Sequence, residues 1–412
     1  MSNQPTKNND MNDDGMLNAE TQRKLPQGEI LQPKLRFKGF TDPWQQRKLE
    51  ELLIPAKAKN VDGKFTKNDV LSVSGEFGIV NQIALKGKSS AGESVLLYSV
   101  VNWGDAVYTK SPLKEAPYGI IKVNQGRAGI VSTLYAVYTL RQHLIVPVFL
   151  ELYFDSNVRL NNYLKPLVNK GAKNDMKVKN VDVLKGHIHI TPNVVEQARI
   201  AEFFRVLDDR IAAAKKKADL LKLKKRYYLQ AIFSQQLRFK GFTEPWQQRK
   251  LGDLLKFERP DRYIEPDGDY LSEGTTPVLT ANKGFVLGYT NNSEGIYDKG
   301  ACIIFDDFTL DRKLVRRPFK VRSSAIKILT ANPSMDLYFI FVLLEFQKFP
   351  SLGHARHYIS VVEPWRAPVP DCSEQTHIGE MFRMMDDLIV AVTRKIELLE
   401  RRKTAYLQRL FV

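Results

Sequence analysis

The chain has 412 residues, 43% hydrophobic and 26% charged, with a net charge of +16. That length allows a sizeable core in two or more domains. No run of about 18 apolar residues marks a transmembrane helix, and the polar, acidic N-terminus lacks the basic-then-apolar order of a signal peptide. The two cysteines, Cys302 and Cys372, offer neither a metal spacing nor a disulfide framework, so a reducing, cytoplasmic setting without membrane contact is expected. Most of the basic surplus falls in residues 43–244, and a polyanion is the partner such a surplus favours.

Residues 1–33 read as a disordered leader. Leu35–Leu49, LRFKGFTDPWQQRKL, opens a first domain spanning 34–192, and its Thr41-Asp42-Pro43-Trp44 looks like a helix start with Pro at the first helical position. Strands are predicted at Val70–Ser74, Ser94–Val101, Ala106–Lys110, Gly119–Val123 and Leu134–Leu140, bounded by Gly, Pro and Asn. Val146–Phe154 is expected to be a helix. His187 and His189 alternate near a strand end without a third ligand, which argues against a metal site.

A long helix is predicted over 193–236. Asn193 with Glu196 three residues on resembles a capping box. Phe204, Leu207, Ile211, Ala214, Ala218, Leu221, Tyr228 and Ile232 then follow in steps of three and four, the seam of a coiled coil. Directly after it Leu237–Leu251 repeats the opening motif with Glu244 in place of Asp42 as the sole change. A second domain, 237–370, has strands at Thr276–Ala281, Ala301–Phe305, Phe319–Val321 and Ala325–Leu329 and a helix at Met335–Gln347. A second long helix, 371–412, repeats the first: Glu196–Phe233 aligns without gaps onto Glu374–Phe411. Its seam is Phe382, Met385, Ile389, Val392, Ile396, Leu399, Tyr406 and Leu410. Lys225 and Lys403 take the same seam position, where a polar residue tends to set register. Gly379 is the one interior glycine. The simplest closed arrangement is an antiparallel pair of helices with a pseudo-twofold axis across it.

The inter-strand loops carry groups able to hold phosphates or base edges. In the first domain these are Lys110, Ser111, Tyr118, Lys122, Arg127 and Ser132-Thr133. In the second they are Arg312, Lys313, Arg316, Arg317, Lys320, Ser323, Ser324, Lys327, His354, Arg356 and His357. For any one of them plain surface charge is the simpler reading; as a set they suggest a binding surface. No Gly-rich phosphate loop or dinucleotide fingerprint is present, and Asn332-Pro333-Ser334 falls short of an adenine methyltransferase tetrapeptide. Asp307 with Asp311-Arg312-Lys313 is a short nuclease-like pattern that occurs in one domain only. No catalytic residue, metal ligand or cofactor is assigned to this chain.

From about residue 34 on, the chain resembles the specificity (S) subunit of type I restriction–modification enzymes. The resemblance rests on the duplicated F-x-G-F-[TD/TE]-x-W opening with its R-K-L, and on the duplicated helix start Pro192/Glu196-Gln197/Ile200/Phe204 and Pro370/Glu374-Gln375/Ile378/Phe382. It implies an α/β (α+β) fold of two tandem target-recognition domains joined by two long helices in an antiparallel coiled coil. It further implies a subunit without catalysis of its own that binds double-stranded DNA, two methyltransferase (M) subunits and restriction/translocase (R) subunits. S-adenosylmethionine, ATP and Mg then belong to those partners. Two readers related by a twofold meet a duplex at half-sites about one turn, or 34 Å, apart, with the helices as a ruler for the unread gap. Unlike domains imply an asymmetric target. Arg205, Asp208, Asp209, Arg383, Asp386 and Asp387 are methyltransferase-docking candidates, with intrahelical ion pairing an equally simple account. The competing readings are a stand-alone duplicated DNA-binding regulator and a divergent nuclease using Asp307 and Asp311.

Overall fold

The computed structural model describes residues 32–412 apart from 93, 171–175, 266, 267, 269, 283, 351, 352 and 354. Nearly all of the expected leader, and His354, lie outside the described residues. The fold is mixed α/β in two compact units, Met1–Leu207 with Arg401–Val412, and Asp208–Glu400. Two long helices, Val194–Phe233 and Cys372–Arg409, contribute residues to both.

In the first unit Pro43-Trp44 does not start a helix. Gln45–Lys48 is a strand paired antiparallel with His187–Ile190. Four polar residues with no apolar stripe have nothing to gain from helical packing, and in extended form their backbone groups find partners in 187–190. Pro43 stands just ahead of the strand, where its missing N–H removes no ladder bond. A four-stranded antiparallel sheet follows, ordered Leu53–Pro55, Tyr135–Leu140, Ala106–Thr109, Ile121–Val123. Of the expected strand Ser94–Val101 only Ser99–Val101 forms, because Leu96 and Leu97 turn outward into solvent. The helix Pro147–Phe154 buries Phe149, Leu150 and Phe154. Phe411 closes this core from beyond the second long helix, its ring 5.2 Å from Phe149 and 6.0 Å from Trp44.

The second unit repeats the plan with other residues. Gln247–Lys250 pairs with Arg366–Val369, so Pro245-Trp246 likewise leads into a strand. The four-stranded sheet runs Leu255–Glu258, Ile326–Ala331, Cys302–Asp306, Arg312–Val315. The helix Leu337–Phe346, capped by Asp336, is the counterpart of Pro147–Phe154. The three-stranded sheet of Val286–Thr290, Thr276–Leu279 and Lys320–Val321 has its counterpart in the first unit's hairpin Leu71–Ser74 and Gly78–Asn81, with a parallel bridge from Val70 to Ile130.

The expected seam residues of both long helices are buried or half-buried, with exposed residues between them. Within the second unit Lys215 meets Glu400 at 2.7 Å and Lys225 meets Asp386 at 2.9 Å, so the helices run antiparallel. The seam lysine Lys225 also bonds Glu345 at 3.0 Å. Each opening motif starts by closing a helix end: the Leu35 N–H donates to the Arg409 carbonyl at 2.8 Å, and the Leu237 N–H to the Ala231 carbonyl at 3.0 Å. These bonds satisfy carbonyls that the last helical turn leaves open.

Candidate nucleic-acid interface

The duplicated residues of the opening motif and of the helix start prove to be two halves of one lock. Asn193 and Asp371 cap their helices as expected, accepting first-turn N–H groups. The glutamates, however, do not reach back to complete a capping box. Glu196 is fully buried and receives Arg36 at 2.7 and 2.8 Å; Glu374, equally buried, receives Arg238 at 3.0 and 2.7 Å and the Trp246 indole N–H at 3.0 Å. Bidentate, charge-assisted pairs of this kind fix orientation as well as contributing energy. The glutamines beside them complete the lock. Gln197 accepts the Val146 N–H at 2.8 Å and Gln375 the Asp336 N–H at 3.3 Å, each at the cap of its own unit's helix. Motif, long helix and domain helix are thereby tied together in the same way in each unit.

With that frame fixed, strand register identifies equivalent positions in the two unlike sheets. Ala106 pairs with Tyr138 and Val123, as Ile303 pairs with Leu329 and Leu314. Lys110, just past the central strand Ala106–Thr109 of the first unit, therefore corresponds to Asp307, just past Cys302–Asp306 in the second. The neighbouring turns also correspond: the Tyr135 N–H donates to the Ser132 carbonyl and the Ile326 N–H to the Ser323 carbonyl. Ser132-Thr133 thus takes the place of Ser323-Ser324. One frame presents a lysine at a strand end in one unit and a carboxylate in the other.

The structure sorts the loop residues read from the sequence into three groups. Lys110, Ser111, Tyr118, Arg127 and Ser132 in the first unit are exposed or half-buried, as are Lys313, Arg317, Ser323 and Ser324 in the second. Burial lowers the pKa of the Lys110 ammonium. Arg312 and Arg316 are already engaged, Arg312 by the Leu310 carbonyl at 3.1 Å and Arg316 by Asp387 at 3.4 Å. Lys122, Lys320, Lys327 and His357 are interior, so the expectation that they line a surface is corrected. Lys122 pairs with Asp155 at 2.8 Å, Lys320 with Glu265, and Lys327 with Asp307 at 3.3 Å, while the His357 ring nitrogen lies 3.0 Å from the Asp307 carbonyl oxygen. Charge alone could not foretell this, because each carboxylate is remote in sequence.

In the second unit the structure adds Arg259 and Lys348 to two basic surfaces. Arg259 joins Asp307, Ser324, Lys327 and Arg356 around a cleft of about 480 Å³. Lys222, Arg226 and Lys348 join Arg312 and Phe349 along a groove of about 570 Å³. No motif or strand signal distinguishes Arg259 or Lys348 from ordinary surface cations. Of the nuclease-like pair, Asp307 is held by Lys327 and by the Tyr358 N–H at 2.7 Å, and exposed Asp311 accepts the Thr309 hydroxyl at 3.0 Å. Their carboxylates are committed to the protein itself. No described helix is long and apolar enough to cross a membrane.

No protein-family model matches the chain. It is 36% identical over 166 residues to the type I restriction enzyme EcoR124I/EcoR124II specificity subunit of Escherichia coli, covering 38% of this chain and 41% of that protein. It is 23% identical over 181 residues to the type I restriction enzyme MjaVIII specificity subunit of Methanocaldococcus jannaschii, covering 41% of this chain and 42% of the relative. The matched stretches thus span about two fifths of either relative's length. The crystal structure of a type I restriction–modification system S subunit from M. genitalium superimposes with a TM-score of 0.63, over 93% of this chain and 99% of that one, at 14% identity. At that identity the likeness concerns the fold. The family named by the sequence resemblance is the one to which these relatives belong.

Proposed function

We propose that this chain is the sequence-reading subunit of a type I restriction–modification complex. One observation carries the proposal: a duplicated frame, locked by Arg36–Glu196 and Arg238–Glu374, holds unlike chemistry at equivalent strand ends. A frame kept constant around changed loops suits two readers with different targets. The similarity to specificity subunits supports the same reading. In this account each unit reads one half of a split, asymmetric DNA sequence. Two methyltransferase subunits dock on the shared helices, and restriction/translocase subunits join that assembly. S-adenosylmethionine, ATP and Mg act in those partners, the chain itself is non-catalytic, and the complex works in the cytoplasm.

The test is equilibrium binding to duplex DNA by the full chain, alone and with co-expressed methyltransferase subunits, at several salt concentrations. The account predicts that the methyltransferase raises affinity and selectivity, with affinity falling steeply as salt rises because phosphates are being neutralised. Tight, selective binding by the chain alone, unchanged by the methyltransferase, would instead favour a self-contained regulator.

A further inference from the structure

We propose that Arg356 is a guanine-reading side chain of the second unit; the inference rests on the specificity-subunit reading above. Its setting is the cleft of about 480 Å³ that Arg259, Asp307, Ser324 and Lys327 share with it. Asp307 and Lys327 form the floor, their side chains 2% and 6% exposed and paired at 3.3 Å. The Tyr358 N–H, donating to Asp307 at 2.7 Å, keeps that carboxylate from turning away. Arg356 differs from both. Its side chain is 52% exposed, yet its guanidinium is anchored on three sides. One terminal nitrogen lies 3.8 Å from the Asp307 carboxylate and donates to the Ser324 carbonyl at 3.3 Å, and the group sits 5.6 Å from the centre of the Phe308 ring. The other terminal nitrogen and Nε have no hydrogen-bond partner among the described residues. A guanidinium held through one nitrogen, with the others unengaged among the described residues, is a preorganised fork.

The floor decides what the fork meets. A site built for phosphate gathers cations and excludes carboxylates, whereas here a buried carboxylate faces the same space as the arginine. A base edge suits such mixed lining, and the two acceptors that match a guanidinium fork are O6 and N7 of guanine in the major groove. The position fits as well, since Asp307 directly follows the central strand Cys302–Asp306, at the place where the first unit has Lys110 and where the domain chemistry changes. Arg259 lines the same cleft without an ion pair to Asp307 among the described residues, whereas Arg356 has one. Of the arginines read from the sequence, Arg312 donates to the Leu310 carbonyl and Arg316 to Asp387, and neither they nor Arg317 line this cleft.

The test maps the methylated motif in cells expressing the full chain with its methyltransferase, for the wild type, Arg356→Ala and Arg356→Lys. One half-site is expected to contain a G·C pair at which Arg356→Ala no longer discriminates. Binding selectivity there should fall by about ten- to a hundredfold, with the other half-site and the gap unchanged. Lysine, a point charge rather than a fork, should restore only part of the selectivity. A variant that fails to fold would lose methylation throughout, so a second measurement uses wild-type protein. Replacing that guanine by 7-deazaguanine removes the N7 acceptor and should weaken wild-type binding at that position alone. Half-sites without a G·C pair, or wild-type binding indifferent to 7-deazaguanine at every guanine, would overturn the assignment and leave the specificity reading standing. Absence of any methylated motif with the wild type would overturn both.

Discussion

Arg36 and Arg238 do the same task in unequal company. Glu374 keeps a hydrogen bond from Trp246 when its arginine is removed, whereas the Trp44 indole N–H finds no partner among the described atoms and Glu196 depends on Arg36. Stripping a buried carboxylate of its cation costs about 3–5 kcal/mol. A surviving charged hydrogen bond is worth about 1.5–3 kcal/mol. Arg36→Ala should therefore destabilise its unit more than Arg238→Ala destabilises the other, read as local unfolding by hydrogen exchange. Equal losses would mean that the tryptophan bond contributes nothing. Both arginines and both glutamates stood out in the sequence because they lie in duplicated segments. Their pairing did not, since the contacts span 160 and 136 residues and leave no spacing to read. The same blindness made Lys122 and Lys320 look like surface cations, for their carboxylate partners are distant along the chain.

At the scale of elements, signal length decides what can be read. The long helices were legible because each seam step repeats the same period many times, and every repeat adds to one signal. Gln45–Lys48 and Gln247–Lys250 were not, because four polar residues carry no period at all and are strands only by virtue of their partners. Gly379 shows the same dependence on tertiary context. Alanine in mid-helix ordinarily improves on glycine by about 1 kcal/mol. Here a Cβ would come within 2.2 Å of Asp336 Oδ1 and 3.1 Å of the Phe339 nitrogen. Asp336 cannot step aside without giving up its cap on Phe339. Gly379→Ala should therefore lower stability, by about 1–3 kcal/mol as for other overpacked sites, and shift the unfolding midpoint downward. A higher midpoint would show that the close approach is not tight. The equivalent position in the first helix is Ala201, an ordinary helix former.

For the whole molecule, the account makes the antiparallel helices the measure of the unread gap. Four residues inserted in both add roughly 6 Å of helix, close to two base-pair steps at about 3.4 Å each. The methylated motif should then keep both half-sites and change only its gap. An unchanged gap would refute the ruler. That the molecule is duplicated, and that its domains differ, was plain from the sequence. That the two sheets share one strand order was hidden, because register is set by pairing between strands distant in the chain and not by any matching run of residues.

The central claim is that this chain chooses where a methyltransferase acts, and a base-resolution methylation map of the host genome with and without this gene tests it most directly. The account predicts the loss of one split, asymmetric methyladenine motif, its two halves differing in sequence as the two units differ at Lys110 and Asp307. Loss of a palindromic motif would contradict the asymmetry. A map with no change at all would contradict the specificity role itself.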